Sequence, residues 1–82
     1  MNNREKYDAA FMETFLVGPG ELQGLKYQGV TAWDSVGHMA LIAALEDAFG
    51  IEFEIDDIID FSSYELGLDK LARYGVSIEP AR

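Results

Sequence analysis

Apolar positions recur at helical spacing in three stretches of this chain. In the first, Tyr7, Phe11 and Phe15 come every four residues with Ala10 beside them, which predicts one apolar face on a helix over residues 3–17. Gly18-Pro19-Gly20 ends it, since proline lacks the amide a helix needs and glycine favours a turn. The second stretch is the most regular. Met39, Ile42, Leu45 and Phe49 form a stripe, widened by Leu41 and Ala48, on a helix over residues 35–49. Gly50 takes the place of a left-handed C-terminal residue, and Ile51 follows as its apolar clasp. The third helix follows a capping-box pattern, with Ser62 as cap and Glu65 reaching back, and runs to about residue 74. Its inward residues are expected to be Leu68, Leu71 and Ala72; Gly67 weakens it slightly, and Gly75 closes it.

Two segments between these helices carry a different pattern. A long irregular segment leads up to Ala32, and its apolar residues Leu22, Leu25, Tyr27 and Val30 are spaced like anchors pinning a loop to a core. Loops of this length are uncommon in compact domains and often functional. "IEFEIDDIIDF" then alternates apolar and acidic residues at its start, which in isolation reads as a strand. Nothing else in the chain offers that strand a partner. An extended connector leading into a short helix near residues 56–61 is expected instead, with Asp56 and Asp57 at its positive N-terminal end. The expected fold is therefore all-α: a small antiparallel helical bundle of three main helices plus one short helix, with a long first loop and one domain over residues 1–82.

Composition narrows the chemistry. The chain of 82 residues sits near the lower limit for a single unstapled core, and 49% of its residues are hydrophobic, too many for a disordered chain. It has no cysteine, which excludes disulfides and thiol chemistry by the protein's own side chains. The N-terminal "MNNREKYDAAF" lacks an apolar signal core, and no apolar run is long enough to cross a bilayer, so a cytoplasmic protein is expected. The formal net charge is −9, and no lysine or arginine occurs between Lys26 and Lys70. Such a surface repels phosphate backbones, which argues against nucleic acid and anionic membranes as partners. It favours basic patches on protein partners, although a solubilising surface explains the same charge.

Few motifs support chemistry. "GPGELQG" lacks the preceding strand and the Gly-Lys-Ser/Thr ending of a phosphate-binding loop. The acids of residues 56–60 lack the glycine and terminal glutamate of a calcium loop, and His38 is the only histidine, so no metal site is expected. Ser35 and His38 are three apart and can touch, but a chain this short leaves little room for the cleft of a serine hydrolase, and no enzymatic activity is expected. There remains Asp34-Ser35 at the start of the most regular helix. Either residue suits a helix cap. An exposed serine there also places any attached phosphate at the positive end of the helix dipole.

Asp34-Ser35-Val36, Leu41-Ile42, Ala44-Leu45-Glu46 and Phe49-Gly50-Ile51 together resemble the acyl carrier protein family, in which an Asp-Ser-Leu motif opens the second helix and Leu-Glu…Phe-Gly-Ile closes it. The likeness continues through Ile58, Phe61 and the Ser62-Ser63 pair, covers residues 33–74 well, and extends to the first helix only in general character. The resemblance implies that a phosphopantetheinyl transferase attaches 4'-phosphopantetheine from coenzyme A to Ser35, recognising Asp34 just before it. It implies that the arm's thiol then carries an acyl group as a thioester, and that the loop and second helix meet acyl-loading and acyl-transfer enzymes. Val36, Met39, Glu46, Asp47, Asp56 and Asp57 are the expected partner surface of a monomer.

The departures from the family pattern point away from the housekeeping fatty-acid carrier. Val36 stands where a bulky leucine is usual, and Gly37, His38 and Ala40 stand where acids are usual in the first turn. Gly37 is expected to loosen that turn. A specialised carrier of a secondary-metabolite, surface-polysaccharide or lipid-modifying pathway is expected. The alternative is an unmodified acidic adaptor in which Ser35 is only a cap. Trp33 is expected to pack over the loop, His38 to be solvent-exposed, and Met39 to belong to the core as well as border the partner surface.

Overall fold

The computed structural model describes residues 2–79. Four helices form an all-α bundle: α1 (Asn3–Phe15), α2 (Ser35–Phe49), α3 (Ile55–Asp60) and α4 (Tyr64–Arg73). A single 3-10 turn, Pro19–Glu21, lies in the long first loop.

Each helix starts where a side chain can satisfy its first amides. Asn2 caps α1 in a reciprocal box: its side chain accepts from the Glu5 amide at 2.8 Å, and the Glu5 carboxylate accepts from the Asn2 amide at 3.0 Å. α1 ends two residues short of the expected 17, because Leu16 already turns left-handed at φ 56. Gly50 closes α2 as expected, with φ 64 and its amide bonded to the Glu46 carbonyl. α3 begins one residue earlier than expected, and α4 is capped by Ser63 rather than Ser62. Ser63 Oγ accepts from the Leu66 amide at 3.0 Å. The reason lies in the loop. The Tyr27 amide donates to the Ser62 carbonyl and the Tyr64 amide to the Leu25 carbonyl, both at 2.9 Å, in an isolated antiparallel bridge of Lys26 with Ser63. That bridge holds Ser62 and Ser63 extended, so the helix cannot start before Tyr64. Glu65 is correspondingly diverted and accepts from the Gly24 amide at 2.9 Å.

The core is aromatic. Tyr7, Phe11, Phe15, Trp33, Phe61 and Tyr64 are all buried and pack around Leu41, Ile42, Leu45 and Leu71. Leu22 and Leu25 anchor the loop as expected, and Val30 is half-buried, but Tyr27 is 37% exposed; Trp33 is the main anchor, fully buried. The α2 stripe differs from expectation at one place. Met39 is 52% exposed, and the core-facing position in its turn is taken by His38. In α4, Ala72 is exposed rather than inward.

Two helical glycines have steric reasons. A Cβ on Gly67 would come within 2.1 Å of the Tyr7 hydroxyl and 2.3 Å of Phe61 Cζ, so α4 can approach α1 only with glycine there. A Cβ on Gly37 would come within 1.9 Å of the Ala32 carbonyl oxygen. Gly37 therefore permits the loop to close onto the first turn of α2, which corrects the expectation that it loosens that turn. No helix among the described residues is long and apolar enough to cross a membrane.

Candidate functional site

The start of α2 resolves which of Asp34 and Ser35 is the cap. Asp34 has extended backbone, and its Oδ1 accepts from the Gly37 amide at 2.8 Å. Its carbonyl also accepts from the His38 amide at 2.7 Å. Ser35 is the first residue of the helix proper and is exposed. Its hydroxyl is thus not committed to the helix end, and it stands at the positive pole of a helix of 15 residues.

Ser35 forms one wall of a groove of about 350 Å³ between α2 and α3. Met39, Ile58, Ile59 and Phe61 supply most of its apolar lining, and Tyr27 reaches in from the loop. Of its lining residues Met39 is 52% exposed and Ile59 70%, and Val36 at 80% and Ile55 at 74% are exposed on the same two helices. Exposed apolar side chains beside a groove make a candidate contact surface.

His38 is not the exposed histidine expected. Its Nδ1 accepts from the Trp33 indole N–H at 3.0 Å. Its Nε2 lies 2.7 Å from the Ile58 carbonyl. An indole nitrogen can only donate, so the imidazole proton is assigned to Nε2, which donates to that carbonyl. The ring also lies parallel to Trp33, 6.2 Å between centroids and 14° between planes, and Trp33 in turn stacks on Phe15 at 5.0 Å.

The expected partner residues divide. Val36 and Met39 are exposed beside Ser35, and Asp56 is exposed in the first turn of α3. Asp47 is exposed but lies about 18 Å further along α2 at 1.5 Å per residue. It lines a different groove, against Lys6 and Glu13 of α1. Glu46 is half-buried, and its carboxylate accepts from the Phe53 amide at 2.9 Å, fixing the connector. Asp57 departs furthest from the expectation. It is only 8% exposed, accepts from the Tyr74 hydroxyl at 2.5 Å, and sits 3.2 Å from Arg73 and 3.3 Å from Lys70. The Tyr74 bond, reinforced by those two cations, holds its carboxyl below the usual carboxylate range; the same bond pushes the Tyr74 phenol up. Asp57 ties α3 to α4 rather than facing a partner.

As groove walls, Tyr27, Ile58 and Ile59 are not expected from the sequence, where Tyr27 reads as a loop anchor and Ile58 only as part of the family likeness. The signal was there in "DDIID": two adjacent isoleucines on a six-residue helix cannot both face the core. No group of three or more histidine or carboxylate side chains among the described residues is placed to hold a metal ion. Comparison of the chain with protein-family models, with curated proteins and with solved structures returns no match in any of the three.

Proposed function

We propose that this protein is a carrier domain: Ser35 accepts a 4'-phosphopantetheine arm, and the loaded protein shuttles acyl or related carboxylic groups between the enzymes of a specialised biosynthetic pathway. One observation carries the reading. Asp34 caps α2, while Ser35 stands exposed at the first helical position beside an apolar groove. A serine present only as a cap would have its Oγ on a backbone amide. Here the neighbouring carboxylate has that duty, and the hydroxyl is left for chemistry. The resemblance of residues 33–51 to acyl carrier proteins supports the same reading.

The site fits the group. In loading, Ser35 Oγ attacks the pantetheine-bearing phosphorus of coenzyme A; a base of the transferase takes the hydroxyl proton, the P–O–P bond breaks and adenosine 3',5'-bisphosphate leaves. A phosphodiester on Ser35, the first residue of α2, would stand at the helix N-terminus, where the dipole would favour it by about 0.3–1 kcal/mol. When bound, the arm supplies a terminal thiol that holds cargo as a thioester. Asp34 keeps the first turn rigid, so the serine is presented in one orientation to successive enzymes. Val36 and Met39 offer apolar contact at the site. Asp56, and Asp47 further along, attract basic patches on the phosphopantetheinyl transferase and on acyl-loading and acyl-transfer enzymes, speeding encounter without slowing release.

The test is intact mass after incubation with coenzyme A and a broad-specificity phosphopantetheinyl transferase. The parent chain is expected to gain one phosphopantetheinyl group and Ser35→Ala none. If several transferases leave the folded parent chain unmodified, the carrier reading fails. The exposed apolar rim of Val36, Met39 and Ile59 then favours an unmodified adaptor.

A further inference from the structure

The groove beside Ser35 has a floor, and His38 makes it. His38 lies one turn beyond Ser35 on α2 and lines the same groove. Its two ring nitrogens are bonded in opposite directions, inward to the Trp33 indole and across to the Ile58 carbonyl of α3. The second bond staples α2 to α3. The first holds the imidazole edge to edge with Trp33 and nearly coplanar with it, and Trp33 is fully buried. Phe61 also meets the His38 ring edge-on, at 6.2 Å between centroids. An aliphatic chain passing from Ser35 between α2 and α3 towards Trp33 meets this imidazole and its bond to Ile58. Displacing the ring would leave the buried Trp33 indole N–H without its acceptor and the Ile58 carbonyl with only the Phe61 amide at 3.4 Å, which an aliphatic chain cannot repair.

We infer, on the carrier reading above, that His38 closes the bundle interior to cargo. An acyl chain tethered at Ser35 lies in the surface groove between α2 and α3, and the class sheltered there is short and apolar. Three features converge on this occupant. Ser35 is itself a wall of the groove, so a tether there delivers its load to it. The lining is mostly apolar, and Met39 gives it an adaptable side. The volume of about 350 Å³ is at the small end of ligand sites, which run from roughly 300 to 1,000 Å³. A long chain fills the groove and leaves its remainder in water.

The chain contains no cysteine, so Ser35→Cys introduces a unique thiol for alkylation with butyl, octyl or hexadecyl groups through a flexible spacer. Backbone amide shifts and hydrogen exchange are then read by NMR. Butyl and octyl groups are expected to move the amides of Met39, Ile58 and Ile59, with hexadecyl adding nothing further. The core amides of Phe11 and Leu45 are expected to stay in place. In a His38→Ala background, the octyl group is expected to reach Phe11 and Leu45. If that variant does not fold, Trp33→Phe, which removes the indole donor and keeps a ring in the core, carries the same expectation. Octyl-induced shifts at Phe11 and Leu45 with His38 intact would overturn the inference, as would identical patterns with and without the imidazole lock. Because the thiol is alkylated directly, the result does not depend on any transferase. Failed loading in the mass experiment sinks the carrier reading, whereas core shifts here sink only the closed floor.

Discussion

Where α1 meets α4, polar atoms deep in the bundle are bonded and the helices touch closely. The Tyr7 hydroxyl donates to the Tyr64 carbonyl at 2.6 Å, the Tyr64 hydroxyl donates to Asp8, and Arg4 lies 3.4 Å from Asp8 with its guanidinium over the Tyr64 ring. Burial is the first cause that pushes both phenols up. Gly67 lets the two helices touch. Where α2 meets α3, the chain does the reverse. Val36, Met39, Ile55 and Ile59 stay in water, although burying each such side chain is worth about 1.5–3 kcal/mol. One face holds the molecule together and the other is kept for contact. The two are separable because the His38 lock stands between the groove and the aromatic core.

That contrast can be broken most directly at Gly67. Gly67→Ala forces a methyl into Tyr7 and Phe61 and is expected to cost about 3 kcal/mol in urea unfolding. Val36→Ala on the presenting face is expected to change stability by less than about 0.5 kcal/mol. Equal losses at the two positions would refute the division. Tyr7→Phe comes next. It strips the buried Tyr64 carbonyl of its hydroxyl donor, so a loss of about 1–3 kcal/mol is expected from thermal denaturation. A smaller effect separates the two residues at the start of α2. Asp34→Ala removes the cap and is expected to cost about 1 kcal/mol. Ser35→Ala is expected to leave stability within about 0.5 kcal/mol while abolishing attachment of the arm, as read by intact mass. If Ser35→Ala is the more destabilising of the pair, the serine is structural after all.

The mildest expected effect is pH-dependent, at the α3–α4 tie. The Asp57 carboxyl is lowered in the folded protein, so its contribution is present above the ordinary carboxylate value of about 4 and is lost as pH falls through the lowered one. The Tyr74 phenol is raised, so its contribution is present below about 10 and is lost as pH rises through the raised value. Asp57→Asn is expected to flatten the urea midpoint against pH on both sides. An unchanged acid limb would show that Asp57 carries no coupling between α3 and α4.

Much of the fold was legible in the chain. The four-residue recurrence of Tyr7, Phe11 and Phe15 and the Phe49-Gly50-Ile51 ending of α2 are local signals, and the helices lie where those signals put them. Errors arose where a segment outside the element itself intervened. Ser62 has the better capping-box spacing, but the bridge to Lys26 holds it extended. Met39 fits the apolar stripe, but Trp33 offers His38 an indole donor on the inner side, and the imidazole takes the core-facing place. Asp57 looks like a surface acid at a helix start until Lys70 and Arg73 of the last helix, and Tyr74 just after it, close on it.

By itself the sequence determined an all-α bundle, a serine at the opening of its most regular helix, and an acidic chain without thiols. Those properties depend on residues within a few positions of one another, where periodicity, propensity and capping act. Tertiary structure alone decided that Gly67 is a contact point against Tyr7, that Asp57 bonds Tyr74, and that His38 bonds the Ile58 carbonyl across α2 and α3. Each of these requires two segments to meet at hydrogen-bond or van der Waals distance. Which donor meets which acceptor there is set by how the helices pack, and residue spacing along the chain does not encode it.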